Sequence, residues 1–509
     1  MNRILRNTAT VGAFTALSRV LGLAREMLQS RFIGAGMEQS AFALAFALPN
    51  MARKLFGEGA LTAAFVPVFK GEVEAQAMES ARRLARAVMT MAFLMLGAMV
   101  AVALVGLEAV AHFRFGLEMT DRMLLTVRLV KVLIPYMIFI CGAAFGMGVL
   151  NAMGRFKASS AMPCLLNVFW IGILLWICFH PELRLDQRIH RVALAILVAG
   201  AVQMAFMLWC MHRAGVTPGI SFRGWADPKV RLVWRNTAIA AMGAGAVQIN
   251  YMLDTALGQI AAPWAAGVIG YAERLMDLPL GVIGVAFGTV LLPTFSGLFA
   301  KGDVEGAREA FVSSSRQMLF VMVPAAVGLG VLAPEVTSVI YKGGAFDDQA
   351  VVRVSRAVVV YAVGLGFFGL QKSLVPWFQA QNDMKTPLRT SVYTVCLNAV
   401  LNILAVACLP VEWRHVGLAA STTLCAGCGC VLLACAAHRR NGAIGLQRLV
   451  APVVKMLAGS ALMSAAIFAV KAVVDLPPLL SLAVAIASGA AVYFTSMAAM
   501  GLRWKRRRA

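Results

Sequence analysis

The chain has 509 residues, 60% of them apolar and only 14% charged, with a mean hydropathy of +0.78. Soluble domains carry about 25% charged residues, so this composition excludes a water-soluble globular protein. The net charge of +22 follows from basic residues gathered at alternate span ends, and nucleic-acid binding is the wrong inference from it.

A crossing of the hydrocarbon core needs about 20 apolar residues. On that basis the sequence predicts an all-α integral membrane protein with about fourteen transmembrane helices. The spans are 8–34, 39–66, 84–112, 123–150, 158–180, 190–212, 233–260, 264–298, 311–341, 350–380, 387–409, 415–437, 449–474 and 478–503. The basic opening MNRILRN leads into a long helical stretch with no A-x-A-like cleavage site, so it reads as part of the first span and not as a removed signal. All ten cysteines fall in apolar segments, where they act as small packing residues. Cys425, Cys428 and Cys430 lie in mid-helix among Ala and Gly with only His438 nearby, a poor metal site.

Lysine and arginine set the orientation. Lys70, Arg82, Arg83 and Arg86 lie between spans 2 and 3, and Arg155 and Lys157 between 4 and 5. Arg213, Arg223, Lys229 and Arg231 lie between 6 and 7, and Lys301 and Arg308 between 8 and 9. Lys385 follows span 10, Arg439, Arg440 and Arg448 follow span 12, and the tail RWKRRRA ends the chain. The opposite loops are short or mixed in sign, so both termini are expected in the cytoplasm.

Two segments recur. Asn151-Ala-Met153 and Leu166-Asn167 return as Asn382-Asp-Met384 and Leu397-Asn398, a shift of 231 (382 − 151), which also maps Ser160 to Ser391. Phe65-Val-Pro67-Val-Phe69 returns as Leu291-Leu-Pro293-Thr-Phe295, a shift of 226 (293 − 67). Six spans separate the copies, so the repeats are parallel. The expected organisation is two six-helix lobes related by pseudo-two-fold symmetry, 1–215 and 216–445, followed by two C-terminal helices and a basic tail in 446–509.

Arginine is costly inside a membrane, by about 3 kcal/mol on insertion scales. Arg19 lies 13 residues beyond Arg6, and Arg25 lies 13 before Glu38, each about 20 Å along a helix from the flanking charge. Arg53 follows Pro49 in span 2, and Arg274 sits in span 8 between Glu273 and Asp277. The Arg274–Asp277 spacing also permits an internal ion pair. On an ideal helix Glu26 points away from Arg25, and Arg19 and Arg25 differ by about 120°, with Gly22 between them as a bend that turns both inward. Together the four arginines are expected to line a cationic, water-filled cavity between the halves. Guanidinium groups bind phosphate bidentately, so the fitting ligand is a phosphate or pyrophosphate.

At these residues the chain strongly resembles the MurJ (MviN) lipid II flippases of the multidrug/oligosaccharidyl-lipid/polysaccharide exporter superfamily. The resemblance rests on SRVLGLARE (18–26), FIGAG (32–36), LPNMARKLFGEGALTAAFVPVF (48–69), YAERLMDLPLGVIGVAFGTVLLPTFS (271–296) and the NDMKTP turn (382–387). It implies transport of lipid II, the undecaprenyl-pyrophosphoryl disaccharide-pentapeptide, across the bacterial cytoplasmic membrane by alternating access, with the membrane potential as a driving force. It further implies substrate contacts from Arg19, Arg25, Arg53 and Arg274, and a groove by spans 13 and 14 for the polyprenyl tail. Partners on this view are lipid II, membrane lipids and cell-wall synthesis enzymes, with the chain acting as a monomer and without a tightly bound cofactor.

Several family members carry an Asp where this chain has Ser40 (GMEQSAFALAF). Any gating role of that acid is then absent or passes to Glu38 or Glu58. Ser40, Glu58, Glu273 and Asp277 stand as gating or supporting residues. Some members bind a sodium ion through an acid in span 7, and Asp254 is the matching position; the alternative for Asp254 is a structural hydrogen bond with Asn250 or a neighbour.

Enzyme signatures are missing. Gly364-x-Gly366-x-x-Gly369 sits in mid-span without a preceding strand and reads as close helix packing, and there is no Walker A sequence. Two rival classes remain. A drug or metabolite exporter coupled to protons or sodium calls for a cavity of acids and aromatics, where this chain places arginines; the alternative cargo for the arginines is another anionic lipid-linked oligosaccharide or small molecule, exported with an ion. A membrane glycosyltransferase or phosphatase calls for paired acids or a His/Arg cluster in a sizeable outer loop.

Overall fold

Backbone amides in hydrocarbon must find partners inside the protein, and a helix supplies them within one segment. The computed structural model, which describes residues 3–57, 60–113, 120–222, 227–473 and 475–502, is accordingly a succession of helices. They are α1 (Arg3–Ile33), α2 (Met37–Ala52), α3 (Ala60–Glu74), α4 (Met78–Phe113), α5 (Asp121–Leu133), α6 (Tyr136–Ala152), α7 (Phe156–Cys178), α8 (Leu185–Arg213) and α9 (Pro228–Ala261). Then follow α10 (Ala265–Ala300), α11 (Val304–Val331), α12 (Ala333–Tyr341), α13 (Asp348–Gln379), α14 (Lys385–Cys408), α15 (Val411–Asn441), α16 (Gln447–Val473) and α17 (Pro478–Ala499). Among the described residues, ten helical segments are long and apolar enough to cross a membrane.

Three predicted spans are interrupted. Span 2 is α2, a π-helical turn Arg53–Gly57, and α3. Span 4 breaks between α5 and α6 at Pro135, whose ring and missing N–H exclude a regular helical turn. Span 9 breaks at Leu332, before Pro334 in the first turn of α12.

Six helices end alike, and each leads into one of the basic loops or the basic tail. Gln76, Gly154, Gly215, Gly302, Asn382 and Gly501 adopt positive φ. The N–H of the next residue bonds the carbonyl five positions back, as from Arg155 to Leu150 and from Asp383 to Phe378. This closure satisfies carbonyls that the helix leaves open, and it dates the repeats. Gln76 and Gly302 are 226 apart (302 − 76), the same shift as Pro67 and Pro293, and Phe69 and Phe295 are both fully buried. The second pair behaves differently. Its turns correspond at 228 (382 − 154), so Asn151 is an exposed residue in the last turn of α6 while Asn382 is the left-handed residue itself. The Asn151/Asn382 match of the sequence is therefore not a structural equivalence.

The chain divides into two compact units, Met1–Gln259 with Gly343–Phe346, and Ile260–Lys342 with Asp347–Ala509. In the first unit α1 lies along α7, and α8 packs on α6 and α7. One core gathers Phe42, Phe46, Tyr136 and Trp170, and a second gathers Phe65, Phe69, Phe145 and Met207, which the start of α9 joins through Val230 and Val233. In the second unit α10, α11 and α15 surround α13, and Trp377 packs edge-on against Phe295, Phe299 and Phe311. The α16–α17 pair docks on α11, where the Tyr493 hydroxyl donates to the Phe320 carbonyl at 2.8 Å.

Candidate functional site

Arg19 and Arg25 take different surroundings, because α1 continues through Gly22 as an unbroken helix. A 120° separation then sends the two side chains to different neighbours. Arg19 is exposed and lines an open cleft of about 600 Å³ walled by α1, α3, α6 and α7. Thr15, Ser18, Thr62, Asn151, Ser159 and Ser160 give that cleft its other polar groups. Neither Arg25 nor Arg53 is among its lining residues.

Arg25 turns toward α7. Its Nη1 donates to Asn167 Oδ1 at 3.0 Å, and its guanidinium lies 4.5 Å from the centre of the Trp170 ring. Its Nη2 also donates to Glu26 Oε1. This corrects the expectation that Glu26 points elsewhere. Ideal helix positions describe Cβ directions, and a long guanidinium arm on a flexible stem bridges the gap to the next residue. The charge of Arg25 is thus balanced locally, and the arginine is held on three sides.

Behind it runs an uncharged chain that links three helices. Trp170 Nε1 donates to Gln29 Oε1 at 3.1 Å, and Gln29 Nε2 donates to Gln39 Oε1 at 3.0 Å. Trp170, Gln29 and Gln39 are all buried. Asn167 Nδ2 ties back to the Ser18 carbonyl at 3.1 Å. Sequence reasoning used Asn167 only as a repeat marker and passed over Trp170, Gln29 and Gln39. The signal available was polar side chains at the centre of apolar spans, which must find partners there.

Arg53 opens the π-helical turn, a feature that often marks functional sites. Its Nη2 donates to Asn50 Oδ1 at 2.9 Å and its Nε at 3.3 Å, a fork closed on one acceptor. Ser40 is fully buried in the second turn of α2, and Glu38 is partly buried in the first. Glu58 lies outside the described residues.

Asp254, on α9, is buried, and Asn250 Nδ2 donates to its Oδ2 at 3.2 Å. The hydrogen bond of the structural alternative is therefore present. One carboxylate and one amide make a partial oxygen set for a hard cation, and no cluster of three or more His, Cys, Asp or Glu side chains occurs among the described residues. In the second unit, Arg274 and Glu273 are half-buried on α10 and Asp277 is exposed. Tyr361 donates to Glu273 Oε1 at 3.4 Å, and Tyr271 of α10 packs against Tyr341 of α12 with ring centres 4.8 Å apart.

A guanidinium exposed in an open cleft, as that of Arg19 is, suits recognition of a phosphate-bearing ligand. The sequence profile of the family described as lipid II flippase MurJ matches residues 29–486. A probable lipid II flippase MurJ of Rhizobium tropici is 32% identical over 404 residues, 79% of this chain and 75% of that protein. One from Vibrio cholerae is 32% identical over 440 residues, 85% of this chain and 82% of its own. The lipid II flippase MurJ of Burkholderia cenocepacia is 31% identical over 441 residues, 84% and 82% of the two chains. Among solved structures, a lipid II flippase MurJ in an inward closed conformation superposes with a TM-score of 0.78 at 21% identity, covering 96% of this chain and 98% of that one. An inward-facing MATE multidrug transporter of the MOP superfamily gives 0.69 at 14% identity, covering 84% and 96%, so the fold extends beyond one family. By the extent of the profile match and the identity to these relatives, the chain belongs to the lipid II flippase MurJ family.

Proposed function

We infer that this chain moves lipid II, the undecaprenyl-pyrophosphate-linked precursor of peptidoglycan, from the cytoplasmic to the periplasmic leaflet for cell-wall synthesis. It is a transporter and not an enzyme. Membership of the family over residues 29–486 supports this reading, and the structural observation that carries it is Arg19, in the middle of α1, lining an open cleft of about 600 Å³.

The head group enters a cavity lined by guanidinium groups while the tail stays in lipid beside α16 and α17, and the lobes alternate access around it. Arg19, Arg25, Arg53 and Arg274 hold the pyrophosphate through bidentate forks. The protein spans the inner membrane about fourteen times with both termini in the cytoplasm, and acts as a monomer that hands its cargo to cell-wall synthesis enzymes. Two negative charges carried outward across an inside-negative membrane gain about 5 kcal/mol per 100 mV, so the membrane potential drives export. Asp254 binds a sodium ion in this scheme, and sodium then raises the melting temperature of wild-type protein but not of Asp254→Ala. Equal sodium responses would leave Asp254 with its Asn250 hydrogen bond alone.

The decisive experiment is replacement of the essential flippase in a depletion strain. The chain should restore growth and display lipid II on the outer leaflet. Normal accumulation in the membrane with lipid II still confined to the inner leaflet would sink the reading.

A further inference from the structure

At the end of the second unit away from the basic loops, the first turns of α12 and α17 and the last turn of α16 enclose a cavity of about 370 Å³. Its wall has two chemistries. Leu476 and Leu482 contribute apolar surface, and Glu335, Ser338, Lys471 and Ser481 contribute polar groups. Lys471 Nζ donates to Glu335 Oε1, with both side chains about one-third exposed, at 33% and 31%. Glu335 Oε2 has no hydrogen-bond partner. Outside the cavity, Phe468, Val473, Leu479 and Leu480 are exposed apolar side chains on the same helix ends, a surface that suits acyl chains.

An ion pair in such a place is costly for packing alone. Taking two charges partly out of water is repaid only when their remaining lone pairs and protons find partners, and here one carboxylate oxygen has none. A groove meant for hydrocarbon would be better lined without either charge. The pair has no net charge, so a purely anionic ligand gains little from it. A ligand bearing a phosphate and an ammonium on neighbouring carbons meets both members. The start of α17 adds the partial positive charge of its free N–H groups on the phosphate side.

We propose that this cavity binds the head group of an aminophospholipid drawn from the surrounding bilayer. The phosphate contacts Lys471, Ser481 and the start of α17. The primary ammonium contacts Glu335, whose carboxylate turns about its broad terminal torsion to present Oε2, with Ser338 beside it. A cavity of about 370 Å³ lies in the usual range of about 300–1,000 Å³ for small-ligand sites. The exposed apolar rim selects a membrane lipid over a soluble phosphoamine. The site stands apart from the arginines and assumes nothing about the transported cargo.

The test uses the full-length protein in nanodiscs and in detergent. Native mass spectrometry after delipidation should retain one phosphatidylethanolamine on wild-type protein in preference to phosphatidylglycerol. Phosphatidylethanolamine should also raise the melting temperature, and soluble glycerophosphoethanolamine should not. The double variant Glu335→Gln/Lys471→Met, which leaves no unpaired charge behind, should weaken retention about tenfold, one step of roughly 1.4 kcal/mol. The charge-exchanged pair Glu335→Lys/Lys471→Glu should recover part of it. Equal retention of the two lipids by wild-type protein would overturn the proposal even if no variant folds. So would displacement of the bound lipid by undecaprenyl phosphate at equal concentration, which would assign the cavity to the polyprenyl tail.

Discussion

Asn167 and Asn398 stand at matching places in the two halves of the chain, both buried in the middle of an apolar helix. In the first unit, Asn167 reaches across to α1, accepts from Arg25 at 3.0 Å and donates to the Ser18 carbonyl. In the second, Asn398 accepts from Asn402 at 2.7 Å and donates to the Thr422 hydroxyl on α15 at 3.3 Å. One amide orients a charge and the other closes a neutral ladder between neighbouring helices. The same residue type thus orients a charge in one copy and joins neighbouring helices in the other, and the partner across the interface decides which. A hydrogen bond to a charged group is also roughly twice as strong as a neutral one, so the first copy has more to lose.

The largest expected effect breaks the charged side of that comparison. Arg25→Ala should abolish lipid II export, measured as outer-leaflet lipid II per molecule of inserted protein. It also removes the guanidinium with which the buried Glu26 carboxylate pairs. Arg25→Lys should restore only part, because an ammonium lacks the fork that reaches Asn167 and Glu26 together and the flat face that stacks on Trp170. Normal lipid II exposure from Arg25→Ala at wild-type levels would remove Arg25 from the mechanism.

Next in size is a test of the copy that stays in register. Phe69 and Phe295 are both fully buried, one beside Phe65 and the other against Trp377. Each truncation to alanine should cost about 3–5 kcal/mol of unfolding free energy, read by denaturant titration in micelles, and the two costs should agree within a factor of two. A large cost at one site and none at the other would show that the shift of 226 aligns letters and not environments.

How far these environments were legible in the sequence depends on the interaction. The helices were readable because an apolar run must be a helix in lipid. Most predicted boundaries fall within about five residues of helix ends. Span 2, however, stops eight residues before the end of α3, and spans 3 and 9 begin six and seven residues inside α4 and α11. Arg19, Arg25 and Arg53 stood out because charge is rare at that depth. Their partners did not. The Arg25–Glu26 pair runs against ideal helix geometry and depends on side-chain reach. The Gln29–Gln39–Trp170 chain joins residues up to 141 positions apart, which no local pattern encodes. The 231-residue match misled at the turn because Asn tolerates a left-handed backbone, so Asn382 can do there what Gly154 does in the other copy.

The two asparagines give the third test. Asn167→Leu should lower transport per molecule about tenfold, since it removes the hydrogen bond that orients the Arg25 guanidinium on α7 and leaves only the Trp170 ring contact there. Asn398→Leu should leave transport per folded molecule unchanged and cost about 1–2 kcal/mol of stability by removing the hydrogen bonds that Asn402 and Thr422 make to it. Equal transport losses in the two variants would erase the distinction between charge-orienting and adhesive copies.

The smallest effects belong to two carboxylates on the basic-loop side, one in each unit, where the copies behave alike. Lys229 Nζ donates to Glu72 Oε1 at 2.5 Å, and the hydrogen bonds from Lys229 and Ser80 hold the Glu72 carboxyl below its ordinary range. For Asp383, burial pushes the carboxyl up. The N–H and hydroxyl of Thr386 and the Arg440 guanidinium at 2.6 Å outweigh that and hold it below its usual value. A carboxylate depressed in the folded state takes up its proton more readily in the unfolded chain, where Glu and Asp titrate near about 4.3 and 3.9. Each therefore contributes its full stability above those values and loses it as pH falls through the lower folded-state value. Partly exposed pairs of this kind contribute about 1 kcal/mol or less. Glu72→Gln and Asp383→Asn should thus melt slightly below wild type at pH 7, and both gaps should close as the pH falls below about 4. A gap that stays constant from pH 7 down to about pH 3 would mean that shape, and not charge, holds these loops to their helices.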